Sequence, residues 1–300
     1  MKNLSRRSLL KNGIRASALI LLAKGGYNTT SKSLSLEKTE VVIPNLPLPF
    51  KGLKVALLSD FHASAITSEA LLRESAKLTM GENPDIILLC GDFITGSTEF
   101  LNTSVGTFKQ KHLDKLTRAM SILKAPMGIY GVLGNHDFWS GEYALSAILK
   151  DFKDKVGLRW LRDEVVKIKK GGRTLDLIGI DDYWSGGTLI KALNGVGLMG
   201  GKKNKKKNTR LLLSHNPDVN EEIDALGHDI DLVLSGHTHG GQISLPLVGV
   251  PYVPSNSGSK YLKGLVRDGA RQTYITRGIG NLILPIRFNA LPEVTILTLS

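Results

Sequence analysis

Four short segments carry most of the chain's ligand chemistry: Asp60-Phe61-His62, Gly91-Asp92, Gly134-Asn135-His136-Asp137 and Gly236-His237-Thr238-His239-Gly240, with His215 ahead of the last. They supply carboxylates, imidazoles and one amide, and each follows an apolar run. Taken singly they are weak, because Asp-x-His and Gly-Asp arise often by chance and a lone histidine after a strand is commonly a structural hydrogen-bonder. The ordered set is the signal, since five of the seven histidines fall into it. Oxygen and imidazole donors suit Mn, Mg, Fe or Zn, and the absence of thiolate ligands argues against a structural zinc site. Two cations about 3.5–4 Å apart can lower the pKa of a shared water and hold the attacking and leaving oxygens of a phosphate ester. The expectation is an enzyme that uses two divalent ions per chain to cleave such an ester.

Those donors need elements to bring them together. Val55–Ser59, Ile86–Cys90, Ile129–Leu133, Leu175–Ile180, Leu211–Ser214 and Leu232–Ser235 are short, largely apolar runs, as strands covered on both faces require. Asp60, Asp92, Asn135, His215 and His237 each follow such a run, and ligands of α/β sheets bind beyond the carboxyl ends of the strands. Ser68–Met80 and Leu113–Leu123 read as helices, the second closed by Ala125-Pro126. The alternation argues for an α/β architecture. Tyr274–Arg277 and Val294–Leu299 read as late strands without intervening helices, which predicts a second, mixed sheet. Tyr27–Glu40 is rich in Ser, Thr and Lys and reads as a linker, and Val41–Phe50, with three prolines, as an edge strand or extended lead-in.

The order Asp60-x-His62, Gly91-Asp92, Gly134-Asn135-His136-Asp137, His215 and Gly236-His237-x-His239 resembles the calcineurin-like metallophosphoesterase superfamily, from about Lys51 to the C-terminus. That resemblance implies an α/β fold of four layers, an α/β/β/α sandwich of two mixed sheets flanked by helices. It implies that Asp60, His62 and His239 bind one metal and Asn135, His215 and His237 the other, with Asp92 bridging both. His136 would then be the non-ligand histidine that gives a proton to the leaving-group oxygen or stabilises phosphoryl charge, with Asp137 orienting it. Gly240-Gly241-Gln242, Pro285-Ile286-Arg287-Phe288 and Pro292-Glu293 resemble a narrower bacterial branch. That branch holds twin-arginine-exported phosphodiesterases and a chlamydial-type UDP-2,3-diacylglucosamine pyrophosphatase of lipid A synthesis. A phosphodiester or pyrophosphate substrate, lipid-linked in the narrower branch, follows from it.

The formal charge of +12 suggests nucleic acid until it is located. Residues 1–30 carry six Lys or Arg without an acid and residues 201–208 carry five lysines, which leaves the rest of the chain at +1. A basic face for duplex binding is therefore unsupported, no specific nucleic-acid partner is expected, and a nuclease is disfavoured. Arg6-Arg7 ahead of the short apolar stretch Ala16–Ala23 reads as a twin-arginine export signal over residues 1–28, followed by a lead-in over 29–50 and a catalytic domain over 51–300. The bland alternatives for that segment are a basic tail or a short helix lying on the membrane surface. Folded export would let the metal load in the cytoplasm, which favours Mn over tighter-binding Zn.

Substrate recognition is less legible. Asp181-Asp182-Tyr183-Trp184-Ser185-Gly186 offers Asp182 and Trp184 to a sugar or nucleotide, or else is an aromatic loop packed on the core. Arg277 and Arg287, flanking Gly278-Ile279-Gly280-Asn281, hold a second phosphate or form ordinary ion pairs. The lysine tract attracts anionic head groups or is a solubilising loop. Cys90, the single cysteine, reads as a small buried apolar residue. A non-catalytic scaffold on the same fold would have lost ligands or His136, and this chain keeps all of them. Oligomeric state is not encoded legibly.

Overall fold

The apolar runs become the interior strands of two stacked sheets in a computed structural model, which describes residues 33–95, 108–194, 208–226, 229–245, 249–269, 271–282 and 285–300. The strands are β1 Ser35–Val41, β2 Lys54–Leu58, β3 Ile86–Cys90, β4 Ile129–Val132, β5 Arg159–Trp160, β6 Glu164–Lys170, β7 Arg173–Gly179, β8 Thr209–Leu213, β9 Leu232–Ser235, β10 Gly264–Asp268, β11 Arg271–Ile275 and β12 Glu293–Leu299. One sheet has the order β1-β12-β2-β3-β4-β5, the other β10-β11-β9-β8-β7-β6. Both are mixed: β2 to β5 run parallel and β12 lies antiparallel to β2, while β7, β8, β9 and β11 run parallel between antiparallel β6 and β10.

Strand periodicity sorts the core into three slabs. Ala56, Leu58, Ile87 and Leu89 face the helices α1 Glu69–Gly81, α2 Gln110–Met120 and α4 Glu142–Val156, meeting Leu72, Leu116 and Phe152. Their neighbours Val55, Leu57, Leu88 and Cys90 face the second sheet and meet Leu177, Leu211, Leu213, Leu232 and Leu234. On that sheet's outer side Ile178, Leu212 and Val233 pack on α5 Leu189–Asn194 and α6 Val219–Leu226. The four layers α/β/β/α explain why the central strands carry no polar face: water reaches neither side of them. α1 starts where Ser68 Oγ accepts the Leu71 amide, and α4 stops at left-handed Gly157. Cys90 is buried within the inter-sheet slab.

The first sheet corrects one boundary. Ser35–Glu40, read as linker, belongs to β1, which pairs in parallel with β12 from Ser35↔Glu293 to Val41↔Leu299. As an edge strand it buries little beyond Val41, with Leu36 leaning on the helical slab, so its composition imitates a linker. The first sheet therefore includes residues 35–41, ahead of residue 51. Residues 1–28, the lysine tract 201–207 and His228 lie outside the described residues. Among the described residues no helix is long and apolar enough to cross a membrane.

Candidate metal centre

The carboxyl ends of β2, β3 and β4 meet those of β8 and β9 at one rim of the sandwich. Ser59 Oγ donates to Cys90 O at 2.6 Å, and His215 Nδ1 lies 2.7 Å from the same carbonyl, so both sheets share one anchor. The Asp60 amide donates to Gly91 O and the His62 amide to Asp92 O, each at 3.0 Å. The His237 amide reaches both Asp60 carboxylate oxygens at 3.1 Å. Gly134 has no side chain for a steric reason, since a Cβ there would overlap Asp92 Oδ1.

Five donor residues stand in the left-handed backbone region: Asp60 (φ 53°), His62 (42°), Asp92 (54°), His237 (73°) and His239 (53°). Each such residue costs on the order of 1 kcal/mol and persists only where its surroundings over-determine it. Here the amides just named hold Asp60, His62 and His237.

Two buried triplets result, Asp60–His62–His239 and Asp92–His215–His237, and within each the ligand atoms all lie within 4.8 Å of one another. His62 Nε2 is 3.0 Å from His239 Nε2 and 4.0 Å from Asp60 Oδ1, and His239 Nε2 is 3.4 Å from that same oxygen. His215 Nε2 is 3.3 Å from His237 Nδ1. Asp92 Oδ2 stands 3.1 Å from His215 Nε2 and 3.4 Å from His62 Nε2, between the triplets. Asn135 opens the short helix α3 Asn135–Trp139, and its buried Oδ1 has no hydrogen-bond partner among the described residues. Six of the seven expected ligands thus meet at this rim, and Asn135 lies in the chain between Gly134 and His136, the two residues that approach Asp92.

The donor set fits divalent ions on two counts. Donors roughly 2.0–2.1 Å from a common ion, at right or tetrahedral angles, lie about 2.8–3.4 Å apart, a range that holds both facing imidazole pairs at 3.0 and 3.3 Å. The charge also asks for cations. Burial, only partly offset by His215, pushes the Asp60 carboxyl up to about 6. Burial holds His62 down to about 3, and His237 and His239 well below the ordinary imidazole range, so their nitrogens keep lone pairs. His215 is the exception: burial would lower it, but Asp92 and then Asp60 raise it to about 10. Buried carboxylates this close need compensating charge, which two dications supply.

His136 sits beside the triplets without being a member of either. Its amide donates to Asp92 Oδ1 at 2.9 Å, its ring packs edge-on against His62 at 5.0 Å, and its Nδ1 has no hydrogen-bond partner among the described residues. Burial lowers its pKa, with Asp92 opposing. Asp137 is a correction: it does not orient that imidazole. Its carboxylate accepts the amides of Phe93 (2.9 Å), Ile94 (3.3 Å) and Gly134 (2.9 Å), so it ties the loop after β3 to the loop after β4. Burial, then Asp92, push that carboxyl up to about 8, against the backbone donors.

The four substrate candidates scatter. Trp184 lies at the rim, edge-on to His237 at 4.6 Å. Asp182 is buried and closes the turn that carries Trp184, accepting Ser185 Oγ at 2.8 Å; it offers no exposed acid to a ligand. Arg277 is engaged by Glu293 and Glu37, each at 2.5 Å, so the ion-pair alternative holds for it. Arg287 is neither a phosphate clamp nor a surface pair. Fully buried, it donates to the carbonyls of Gly280, Arg277 and Ala290 and to His239 Nδ1.

Two features of the rim escaped the sequence reading. Trp139, one helical turn after His136, packs on that ring at 5.1 Å, and its i,i+3 spacing was the available signal. An apolar cavity of about 300 Å³ opens beside His239, walled by Ile243, Pro251, Tyr252, Pro254 and Leu282. Its walls come from separate loops, so no local pattern marks it.

Residues 53–241 match the family described as calcineurin-like phosphoesterase. The chain is 31% identical to the uncharacterized metallophosphoesterase YkuE of Bacillus subtilis (strain 168), over 100% of this chain and 99% of that protein. It is 32% identical to the phosphodiesterase YaeI of Escherichia coli (strain K12), over 82% of each. Among solved structures, a dimetal phosphatase from Danio rerio shares 13% identity at a TM-score of 0.45, covering 76% of this chain and 88% of its own.

Proposed function

Because this chain belongs to the calcineurin-like phosphoesterase family and is a metal-dependent phosphoesterase, we propose that it cleaves a phosphodiester or pyrophosphate bond. The observation that carries the reading is the position of Asp92 Oδ2 between two buried triplets, within 3.4 Å of a histidine from each. Asp60, His62 and His239 would hold one ion, Asn135, His215 and His237 the other, with Asp92 shared. When bound, the two ions supply Lewis-acid charge to the phosphate and acidify a water.

The chain's own residues do the rest. Ser59, Gly91 and Gly134 let the strand ends approach closely enough for the donors to converge. His136 offers Nδ1 as the polar atom left for a phosphoryl or leaving-group oxygen. Burial favours its neutral form, and the negative charge of an arriving phosphate favours the proton. A buried imidazole in that position can either donate a hydrogen bond or pass a proton to the departing oxygen.

Within that reading the substrate is a phosphodiester or pyrophosphate of the cell envelope, with UDP-2,3-diacylglucosamine the sharpest candidate. The name of the phosphodiesterase relative supports a diester bond, the Arg6-Arg7 segment supports an envelope location, and the C-terminal Pro285-Ile286-Arg287-Phe288 resemblance supports the named candidate. The apolar cavity beside His239 suits a substrate with an aliphatic part. The Arg6-Arg7 segment supports a twin-arginine route or attachment to the cytoplasmic membrane, and cytoplasmic loading of a folded protein favours Mn. The test assays the full chain, with and without Mn, on bis-p-nitrophenyl phosphate, p-nitrophenyl phosphate, DNA and UDP-2,3-diacylglucosamine. Metal-dependent turnover of the diester is expected, and release of UMP from the last substrate identifies it. Silence on all four with both ions bound refutes a catalytic role.

A further inference from the structure

We infer that Trp139 and Trp184 form a stacking platform for an aromatic ring carried by the phosphoester, a substrate-selecting surface that rests on the hydrolytic reading above. The two indoles stack at 6.4 Å with their planes only 17° apart. Each continues into the site: Trp139 packs on His136 at 5.1 Å and Trp184 on His237 at 4.6 Å. The four rings make one aromatic wall, running from the His136 imidazole to His237 of the second triplet.

A core role does not account for this wall. Trp139 is 46% exposed and Trp184 38%, although large apolar side chains are ordinarily covered when the fold can cover them. Both are nevertheless held by well-made supports. Trp139 lies on the helix that begins at Asn135, where Ser140 Oγ donates to His136 O at 2.6 Å. Trp184 lies in the turn Tyr183–Ser185, closed by the amides of Ser185 and Gly187 on Asp182 O at 3.0 and 2.9 Å. Two half-exposed indoles fixed by buried anchors, in ring contact with the site's histidines, are arranged to receive a flat face.

Charge directs the choice of ligand. Arg162, over the ring of Phe138 next to Trp139 in the chain, is bound to Asp181 at 2.7 Å, and the wall itself is built of ring faces rather than phosphate-binding groups. Base–aromatic stacking tolerates many rings because every aromatic ring has a π-face. The shared ligand chemistry is therefore a planar ring one short linker from the phosphorus, whether a plain aryl group or a nucleobase.

Matched pairs of inhibitors separate the ring from the phosphate. Phenyl phosphate is compared with methyl phosphate, and uridine 5′-monophosphate with ribose 5-phosphate, against Mn-supported hydrolysis of bis-p-nitrophenyl phosphate. The native protein is expected to prefer the ring-bearing member of at least one pair by about tenfold or more, the scale of one stacked ring. A preference in the first pair marks an aryl group and in the second a nucleobase. Trp139→Ala and Trp184→Ala should each bring the ratio toward one, while Trp139→Phe keeps most of it. Equal inhibition within both pairs, or a ratio unchanged in both alanine variants, overturns the platform. Quenching of indole fluorescence by the same four compounds, in protein with verified metal content, reads ring binding without turnover. A protein that quenches selectively yet hydrolyses nothing would contradict the hydrolytic reading and leave the platform standing.

Discussion

Arg287 Nη2 stands 3.1 Å from Nδ1 of His239, inside a shell where the arginine is completely buried. A guanidinium has no acceptor, so Nδ1 is the accepting atom and the ring's rotation is fixed by a residue 48 positions away. The same guanidinium ties the carbonyls of Arg277, Gly280 and Ala290 together. Its charge also helps to hold His62 and His239 below the ordinary imidazole range, behind the larger effect of burial.

Replacing Arg287 should therefore cost both stability and one ion. In Arg287→Met the three carbonyls lose donors in a dry environment, a loss of about 2–5 kcal/mol in denaturant unfolding. Arg287→Lys should recover little of it, because a point ammonium cannot reproduce the planar fork. Elemental analysis is expected to show depletion at the Asp60–His62–His239 triplet, so that ions per chain fall from two toward one. Two ions retained at native stability would show that the contact with His239 is incidental.

His136→Ala tests the chemistry separately from the metal. The ring is not a member of either triplet, and its link to Asp92 is through the backbone amide, which alanine keeps. Metal content should stay near the native level while kcat on bis-p-nitrophenyl phosphate falls by about 10²–10⁴-fold, the usual range for a lost proton-transfer or charge-stabilising group. Loss of metal in step with activity would reassign the residue to the metal shell.

The contrast between these two residues marks what the sequence can carry. Asp60, Asp92, Asn135, His215 and His237 were legible as strand-end residues because that position is local: an apolar run followed by Asp, Asn or His announces itself. The continuous apolar strands were legible for the same reason and gave the α/β architecture with its second sheet, while the four layers, the remaining donors and the role of His136 came from the family resemblance. Arg287 and the function of Asp137 depend on what lies across the fold, and no spacing along the chain encodes that. β1 was hidden differently. As an edge strand it needs few apolar residues, so Ser35-Leu36-Glu37-Lys38-Thr39-Glu40 has the composition of a linker.

Asp137→Asn distinguishes a loop tie from an imidazole-orienting acid. The carboxylate accepts three backbone amides, and an Asn amide group would present N–H to N–H at one or more of them. A buried amide left without its acceptor costs about 1–3 kcal/mol, so the variant should lose at least that much stability. Turnover should fall through displaced loops, with metal affinity reduced in parallel. A variant of native stability whose kcat alone drops would restore the orienting role.

Gly278→Ala probes the approach of the last loop to the metal centre. Gly278 has φ 70°, and a Cβ there would overlap the Asp60 side chain. The strain of a left-handed alanine adds to that clash, giving about 1–3 kcal/mol before any relaxation. Asp60 should relieve the overlap by moving, which separates it from His62 and His239. The measurable outcome is a higher metal concentration for half-maximal activity, with the Asp92 triplet still loaded.

Metal removal should destabilise the whole sandwich rather than one loop. The donors come from both sheets, with β2, β3 and β4 on one side and β8 and β9 on the other, so ions at the rim cross-link the two layers. Without them, Asp60 and Asp92 repel across a buried space; Asp92 raises the Asp60 carboxyl, second only to burial among the effects acting upward. Ligand linkage gives about 2.7 kcal/mol per site at a hundredfold excess over Kd, so two sites contribute roughly twice that if they fill independently. Chelation is expected to lower Tm by several degrees, with Mn restoring it in a concentration-dependent way. His237→Ala, which weakens one triplet, should show a smaller restoration than the native chain. An unchanged Tm on chelation, with removal of both ions verified, would mean that the two sheets hold this rim together without them.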